Sequence, residues 1–302
     1  MHIDCRKGRT TAELLYKAFR AEGIHGQKAM PGDLMPEGMA RGSREHLLFI
    51  TLTAAINDQR DSFELWKNSC LTYDNPKTRY LFEPAELSRV PFNRIIRDLH
   101  RYRLSRNPIK DAQIWATITT TFLQKYDDDP TNLLLSCDYK ADRILQELLE
   151  GRHGRGRKKK PDFPNLGRPT MAPLWMGMLR ENLDCPLKNM EKIPLPADIH
   201  VAAATLTLGV VKGRYEGPLK QLFHSISEAW SRSLKGVLRP DGLPMVALDL
   251  AEPLRHLFRR GCSTRDADGT CTERENCPCR DHCSTGFIEM DRAKDMVRFA
   301  IG

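Results

Sequence analysis

FPNLGRPT, residues 163–170, is the stretch from which the fold of this chain is predicted. It lies between two segments whose apolar residues have helical spacing, so it predicts a tight turn at Gly167 and then a helix with Pro169 in its first turn. Backbone N–H groups exposed at such a turn face one direction and can bind a phosphate group at the helix N-terminus. Proline and glycine are also common in any turn between helices, and that plainer interpretation stays open.

The sequence on both sides of this turn is predicted to be helical nearly throughout. Apolar residues recur at three-residue to five-residue steps, and no long stretch alternates with period two. The predicted helices cover residues 45–57, 86–104, 110–126, 141–150, 171–179, 199–211, 217–234, 244–260 and 287–301. We therefore expect an all-α fold.

The net charge of the chain is concentrated in one segment. The 302 residues carry +8, and residues 152–160 (RHGRGRKKK) account for +6 of it. A basic segment of this kind favours a polyanionic partner, although a solvated surface loop has the same composition. Because it directly precedes FPNLGRPT, we interpret it as a phosphate-contacting loop.

Composition also excludes several classes of protein. No run of about eighteen apolar residues occurs, which predicts no membrane-spanning helix and no membrane partner. The first ten residues, MHIDCRKGRT, do not resemble a secretory signal. Nine cysteines, an odd number, argue against a disulfide framework and favour a reducing compartment. We therefore expect a cytoplasmic protein, associated with the nucleoid in a bacterial or archaeal cell.

Five of the nine cysteines lie close together near the C-terminus. They form the pattern C-x8-C-x5-C-x-C-x3-C over residues 262–283. Thiolates at this density hold an iron–sulfur cluster or zinc. The C-x2-C pair that zinc sites usually contain is missing, which favours the bulkier cluster and leaves zinc as the alternative. Only four ligands are needed, so one cysteine is spare.

Asp198 in LPADIHV directly precedes a predicted helix. An aspartate in that position is a favoured N-cap, whose carboxylate accepts hydrogen bonds from backbone amides. A carboxylate held so rigidly can also stabilise a developing positive charge. His200, two residues further on, is interpreted as a packed or surface histidine.

Along the chain, the glycine turn comes first, then the capping aspartate, and then the cysteine cluster. In this order, the features resemble the endonuclease III branch of the helix-hairpin-helix DNA glycosylases over about residues 45–283. The family hairpin reads approximately L-P-G-V-G-x-x-T and is matched here at Pro164, Gly167 and Thr170. The family aspartate lies in V-D-T-H-(V/I), which resembles residues 197–201. The last interval of the family's cluster loop, C-x5-C, is matched at residues 277–283.

The resemblance implies two helical lobes that flank a DNA-binding cleft. Residues 45–195 would form the central domain, with the helix-hairpin-helix at about 161–180. Residues 1–44 and 196–302 would form the second domain, with the catalytic aspartate and the metal-cluster loop 262–283. The implied ligands of a [4Fe-4S] cluster are Cys262, Cys271, Cys277 and Cys283, with Cys279 as a possible substitute. The implied contacts to double-stranded DNA are Gln59, Asn165, Arg157, Lys158, Lys159, Lys160, Gly167, Arg168 and Thr170.

The activity implied is that of a monomeric, monofunctional DNA N-glycosylase. Such an enzyme extrudes a damaged or modified base from the duplex and hydrolyses its N-glycosidic bond through an oxocarbenium-like sugar. Asp198 would stabilise that cation and orient or deprotonate the attacking water. Bifunctional relatives carry a nucleophilic lysine at the position of Pro169, so lyase chemistry here would need a displaced lysine from residues 158–160. A non-catalytic DNA-binding protein with the same hairpin and cluster is the other alternative.

Overall fold

The computed structural model describes residues 1–22, 24, 30–58, 60–154, 159–264 and 271–302. Its α-helices are α1 (Cys5–Lys17), α2 (Arg44–Ala55), α3 (Ser62–Asp74), α4 (Pro84–Leu87), α5 (Phe92–His100), α6 (Pro108–Lys125), α7 (Pro130–Ser136), α8 (Ala141–Glu150), α9 (Met171–Asn182), α10 (Ile199–Thr207), α11 (Leu219–Ser233) and α12 (Ala251–Arg260). Its strands are β1 (His2–Ile3), β2 (Arg152–His153), β3 (Lys160–Pro161), β4 (Val211–Pro218), β5 (Gly286–Asp291) and β6 (Met296–Ile301).

The prediction of an all-α fold is wrong. Helices make up 56% of the described residues, but strands make up 11% and form a four-stranded antiparallel sheet. The strand order is β1-β4-β6-β5, and β6 pairs with both long neighbours, for example Ile301 with Gly213 and with Gly286. The described part of the chain is therefore mostly helical, with this four-stranded antiparallel sheet and a short two-stranded one formed by β2 and β3.

The error lies mainly in residues 287–301, which form a β-hairpin and not an amphipathic helix. Val297, Phe299 and Ile301 are buried, whereas Arg298 between them is exposed. This is the period of two that a strand requires when one of its faces is covered. The alternation covers only one short strand, and for this reason a search for long alternating stretches misses it.

The chain divides into two compact units, Met1–Ala29 with Ile193–Gly302, and Met30–Lys192. We call them the discontinuous unit and the central unit. The sequence-based boundaries lie at residues 44/45 and 195/196. In the part of the chain that the structure describes, no helix is long and apolar enough to cross a membrane.

The central unit is built around α2, whose side chains from His46 to Ala55 are all buried. The helix predicted over 45–57 is therefore confirmed within two residues. Trp175 of α9 donates from Nε1 to Thr51 Oγ1 at 3.0 Å, which satisfies two polar groups inside this core. The segment predicted as one helix over 86–104 is instead split into α4 and α5. Pro91 separates them, because it has no amide to donate and restricts the residue before it.

The discontinuous unit has α10 in its core. Trp230 of α11 donates from Nε1 to Thr205 Oγ1 at 2.9 Å, and both residues are fully buried. The helix ends earlier than predicted because Gly209 has a left-handed φ of +66°, and a Cβ there would lie 2.0 Å from Ser284 Oγ. The chain then turns into β4, so the predicted helix 199–211 stops at Thr207 and its last residue, Val211, belongs to the sheet.

Candidate functional site

The carboxylate of Asp198 lies at the N-terminus of α10. Its backbone is extended, with φ −126° and ψ −175°, and Oδ1 accepts hydrogen bonds from the amides of His200 at 2.9 Å and Val201 at 3.0 Å. These bonds satisfy two of the amides that have no partner within the helix. The N-cap prediction is confirmed, and the helix end fixes the position of the carboxylate.

Arg255 of α12 binds the other oxygen of this carboxylate. Its Nε donates to Asp198 Oδ2 at 2.8 Å, and Nη2 donates to the carbonyl oxygen of Pro196 at 3.0 Å. Its Nη1 donates to Glu252 Oε1 at 2.6 Å. The Arg255 side chain is only 11% exposed, whereas that of Asp198 is 39% exposed. A buried guanidinium group therefore anchors a carboxylate that still contacts solvent.

These contacts determine the ionisation of Asp198. Burial by itself raises the pKa of the carboxyl group, but the charge of Arg255 and the amide of Val201 outweigh it, so the pKa lies below its ordinary value. Burial by itself lowers the pKa of Arg255, and the charges of Glu252 and Asp198 raise it above its ordinary value. A carboxylate with a lowered pKa is a weak proton acceptor and a stable negative charge. It is therefore better suited to stabilising a cation than to removing a proton.

His200 is half-buried beside this carboxylate. Its ring lies 5.5 Å from the ring of Phe258, and burial lowers the pKa of the imidazole. Among the described residues, no group forms a hydrogen bond with its Nδ1 atom, which is buried. We therefore interpret His200 as a packed neutral histidine.

Four of the five clustered cysteines line one cavity of about 50 Å³ in the discontinuous unit: Cys262, Cys271, Cys277 and Cys283. Arg274 and Arg280 line it as well; burial raises the pKa of the Cys277 thiol, and the charge of Arg280 opposes that shift without cancelling it. Cys279 is fully buried outside this lining, and burial raises the pKa of its thiol. Cys279 is therefore the member of the cluster that does not line the cavity, although the charges of Cys277, Cys283 and Cys262 also act on its thiol.

The four thiols do not yet form a closed ligand set. Cys271 Sγ donates to the carbonyl oxygen of Gly261 at 3.6 Å, and Cys283 Sγ donates to that of Cys279 at 3.8 Å. Within the described residues, no three side chains of His, Cys, Asp or Glu converge on a point that could hold a metal ion. The donor chemistry suits a thiolate-bound metal centre, and metal binding would have to draw the sulfur atoms together.

The predicted hairpin lies between α8 and α9 in the central unit. Strands β2 and β3 pair, with Arg152 opposite Pro161 and His153 opposite Lys160. Lys159 and Lys160 are exposed at this point, whereas Arg157 and Lys158 lie outside the described residues. The described ends of the basic segment are therefore held together directly before the turn.

The turn itself packs tightly against α8. Phe163 and Leu166 are buried, and a Cβ on Gly167 would lie 2.0 Å from the carbonyl oxygen of Leu148. Only glycine can occupy that position without displacing backbone. The amide of Gly167 donates to the carbonyl oxygen of Phe163 at 2.7 Å, and that of Arg168 donates to Asn165 at 3.2 Å. Both amides therefore already have carbonyl acceptors inside the turn, and a phosphate group bound there would share the amides with those acceptors.

The side chains predicted to contact DNA divide into buried and exposed groups. Asn165 is buried with φ +63°, and its Nδ2 donates to the carbonyl oxygen of Ala55 at the end of α2. Arg168 and Thr170 are exposed, and Arg168 lies 3.6 Å from Asp58 in an ion pair. Gln59, next to Asp58, lies outside the described residues. Arg168 and Thr170 are thus the groups of the turn that remain available to a ligand.

Arg255 is a residue of this site that no pattern in the sequence predicts. It is one helical turn from Glu252, which signals an ion pair on the surface of a helix. Its contact with Asp198 spans 57 positions in the chain, and no local pattern encodes such a contact.

No protein family model matches this chain, and no curated protein matches it.

Proposed function

We propose that this protein is a monofunctional DNA N-glycosylase that acts as a monomer on double-stranded DNA. The observation that supports this most is the ionised, rigidly held carboxylate of Asp198, at the position where the resemblance places the catalytic aspartate. We also propose that it works in the cytoplasm, in association with the nucleoid if the cell is bacterial or archaeal.

The reaction follows from the charge of Asp198. Once the target base is extruded, the C1′–N bond breaks and leaves positive charge on the sugar. A fixed negative charge lowers the energy of that state, and the oxygen of a water molecule then bonds to C1′. The proton released by the water passes to the departing base or to solvent. Asp198 orients this water, and its lowered pKa makes electrostatic stabilisation its main role.

Phosphate contacts would come from the central unit. Arg168, Thr170, Lys159 and Lys160 are exposed at the hairpin and can donate to backbone oxygens. Gln59, Arg157 and Lys158 belong to the same proposed surface by their positions in the sequence. DNA affinity should then fall steeply with salt concentration, because each neutralised phosphate releases counterions.

The metal centre belongs to the same proposal. Cys262, Cys271, Cys277 and Cys283 would hold a [4Fe-4S] cluster, with zinc as the alternative. Such a centre supplies structural order to the loop, and hydrolysis requires no electron from it. Iron and sulfide analysis of the purified protein, with its visible absorption, separates the two metals.

Strand cleavage is not expected. Pro169 stands where bifunctional relatives carry their lysine, and proline has no amine that could form a Schiff base. Lys159 and Lys160 are exposed nearby and are the candidates for a displaced nucleophile. Borohydride should therefore trap no covalent adduct with DNA, and a trapped adduct would establish the bifunctional alternative.

A non-catalytic DNA-binding protein is the second candidate. One observation favours it, since both oxygens of Asp198 already take part in structural contacts with α10 and Arg255. A helix cap anchored by an ion pair explains those contacts without any reaction. Formation of abasic sites separates the two candidates.

Asp198→Asn tests the catalytic role. Asparagine caps helices as well as aspartate does, so the substitution removes the charge and preserves the cap. We expect base excision to fall by about 10² to 10³, the usual effect of removing one electrostatic contact at a transition state. The assay is alkali cleavage of duplexes that carry a panel of damaged and modified bases.

Asp4→Asn is the matched control. Asp4 caps α1 by accepting from the amide of Lys7 at 3.0 Å, and it pairs with Lys212 at 3.1 Å. Asp4, like Asp198, is a helix N-cap with a cationic partner, and it lies in the same discontinuous unit. Loss of the Asp4 charge should leave base excision unchanged. Full activity in Asp198→Asn, or an equal loss in both variants, would remove Asp198 from the mechanism.

A further inference from the structure

A second charged cavity, of about 460 Å³, lies on the central unit beside α4 and α5. We call it the arginine cavity. Its lining includes five cationic side chains: Lys77, Arg89, Arg94, Arg97 and Arg101. Glu86 and Asp98 are the carboxylates that face them, which leaves an excess of three positive charges. Nothing in the proposed base-excision site uses these residues.

Asp98 organises the arginine groups. It is 2% exposed and accepts from the Tyr80 hydroxyl group at 3.0 Å. Arg97 Nε donates to it at 3.2 Å, and Arg94 Nε donates at 3.4 Å. Arg101 lies 3.6 Å away as a third cation on the same carboxylate. One buried negative charge therefore orients three guanidinium groups and neutralises only one of them.

The two closest arginines keep donors for a ligand. Arg94 and Arg97 both use Nε for the contact with Asp98; Arg94 also interacts with the Tyr80 hydroxyl group, and in the described part of the chain no other group accepts from the Nη atoms of Arg97. Arg94 also lies over the ring of Tyr80 at 5.2 Å, which holds its plane in place. Among the described residues, neither Lys77 nor Arg89 forms a salt bridge. The positive charge of the cavity is thus preorganised and largely uncompensated.

We propose that the arginine cavity binds a phosphate ester. Planar guanidinium groups with paired N–H donors match phosphate oxygens, and their fixed orientation reduces the cost of binding. The volume is in the range of small-molecule sites, so it accommodates more than a bare phosphate ion. A soluble nucleotide and the backbone of a nucleic acid strand both supply this group. The proposal concerns phosphate recognition and does not depend on base excision.

Arg97→Gln is the direct test. The Arg97 side chain is 66% exposed, so its replacement should preserve the fold. Arg143→Gln is the matched control, because Arg143 lies in the same unit, is 57% exposed and forms one ion pair, with Asp138 at 3.0 Å. Calorimetric titration with inorganic pyrophosphate measures the affinity for a soluble phosphate compound. Anisotropy of a labelled DNA duplex at several salt concentrations measures the affinity for the phosphates of a nucleic acid.

We expect Arg97→Gln to weaken the binding of one of these probes about tenfold, and Arg143→Gln to leave the binding of that probe unchanged. A loss confined to pyrophosphate identifies a soluble phosphate ester as the ligand. Weaker DNA binding with a salt slope reduced by about one identifies a backbone phosphate. Equal affinities of Arg97→Gln and Arg143→Gln for both probes, at unchanged thermal stability, would overturn the proposal. Failure of the base-excision assay alone would leave it standing.

Discussion

Replacing Arg255 by methionine isolates what one buried guanidinium group contributes to the state of Asp198. Methionine has a similar length and no charge, so the substitution removes the donors to Asp198, Glu252 and Pro196 without leaving a large cavity. The amides of α10 still bind Asp198 Oδ1. The carboxylate therefore stays in place while its ionic partner disappears.

The size of the effect follows from the distance and exposure of the pair. An opposite charge in contact lowers a carboxyl pKa by about 1 to 3 units. Because the Asp198 side chain is 39% exposed, solvent screening places the effect near the lower end. One unit corresponds to about 1.4 kcal/mol. We therefore expect a coupling free energy between Asp198 and Arg255 of about 1 kcal/mol after screening.

The sign of the pH dependence is fixed by the lowered pKa. A carboxyl group whose folded-state pKa is below its ordinary value of 3.8 stabilises the fold fully above that value. This stabilisation is lost as the pH falls through the folded-state pKa. The Met variant should raise the pKa of Asp198, so its deficit in stability should be largest at neutral pH and shrink in acid.

The assay is a double-mutant cycle in urea with wild type, Arg255→Met, Asp198→Asn and the double variant. The four proteins are compared at neutral pH and at a pH below the folded-state pKa of Asp198, which itself lies below 3.8. Glu252→Gln serves as the control, because it removes a neighbour of Arg255 and keeps the pair with Asp198 intact. A neutral-pH coupling below about 0.5 kcal/mol, or one that persists unchanged in acid, would refute the reasoning.

Three further tests, with five substitutions between them, address other parts of the structure. Gly167→Ala should lower the free energy of unfolding by about 1 to 3 kcal/mol, since its Cβ would lie 2.0 Å from a backbone oxygen of α8; normal stability in urea would contradict that packing. Phe299→Ala should cost about 3 to 5 kcal/mol and Arg298→Ala much less if residues 296–301 form a strand with one buried face, whereas similar costs would contradict the alternation. Cys279→Ser should retain bound iron and Cys271→Ser should lose it, as measured by metal analysis, and the reverse order would show that the cavity has identified the wrong four ligands.

Local signals in the sequence were sufficient for much of the helical structure. The apolar run of α2 predicts a buried helix, and Asp198 before a small-residue helix predicts an N-cap, because both depend on residues within one or two turns. The same kind of local signal did not predict the C-terminal β-hairpin. Its decisive alternation at residues 297–301 is short, and β6 becomes a strand only because β4 and β5 supply its hydrogen bonds.

The sequence by itself determined where chemistry could occur: a capping carboxylate at Asp198, five clustered thiols and a basic segment before a glycine turn. Only the tertiary structure showed which groups meet. It placed Arg255 against Asp198, lined one cavity with four of the five clustered cysteines, and gathered the arginines around Asp98. The physical reason is that charge, burial and hydrogen bonding act through space. A residue's type limits the chemistry available to it, and its folded neighbours set its pKa, its exposure and its available donors.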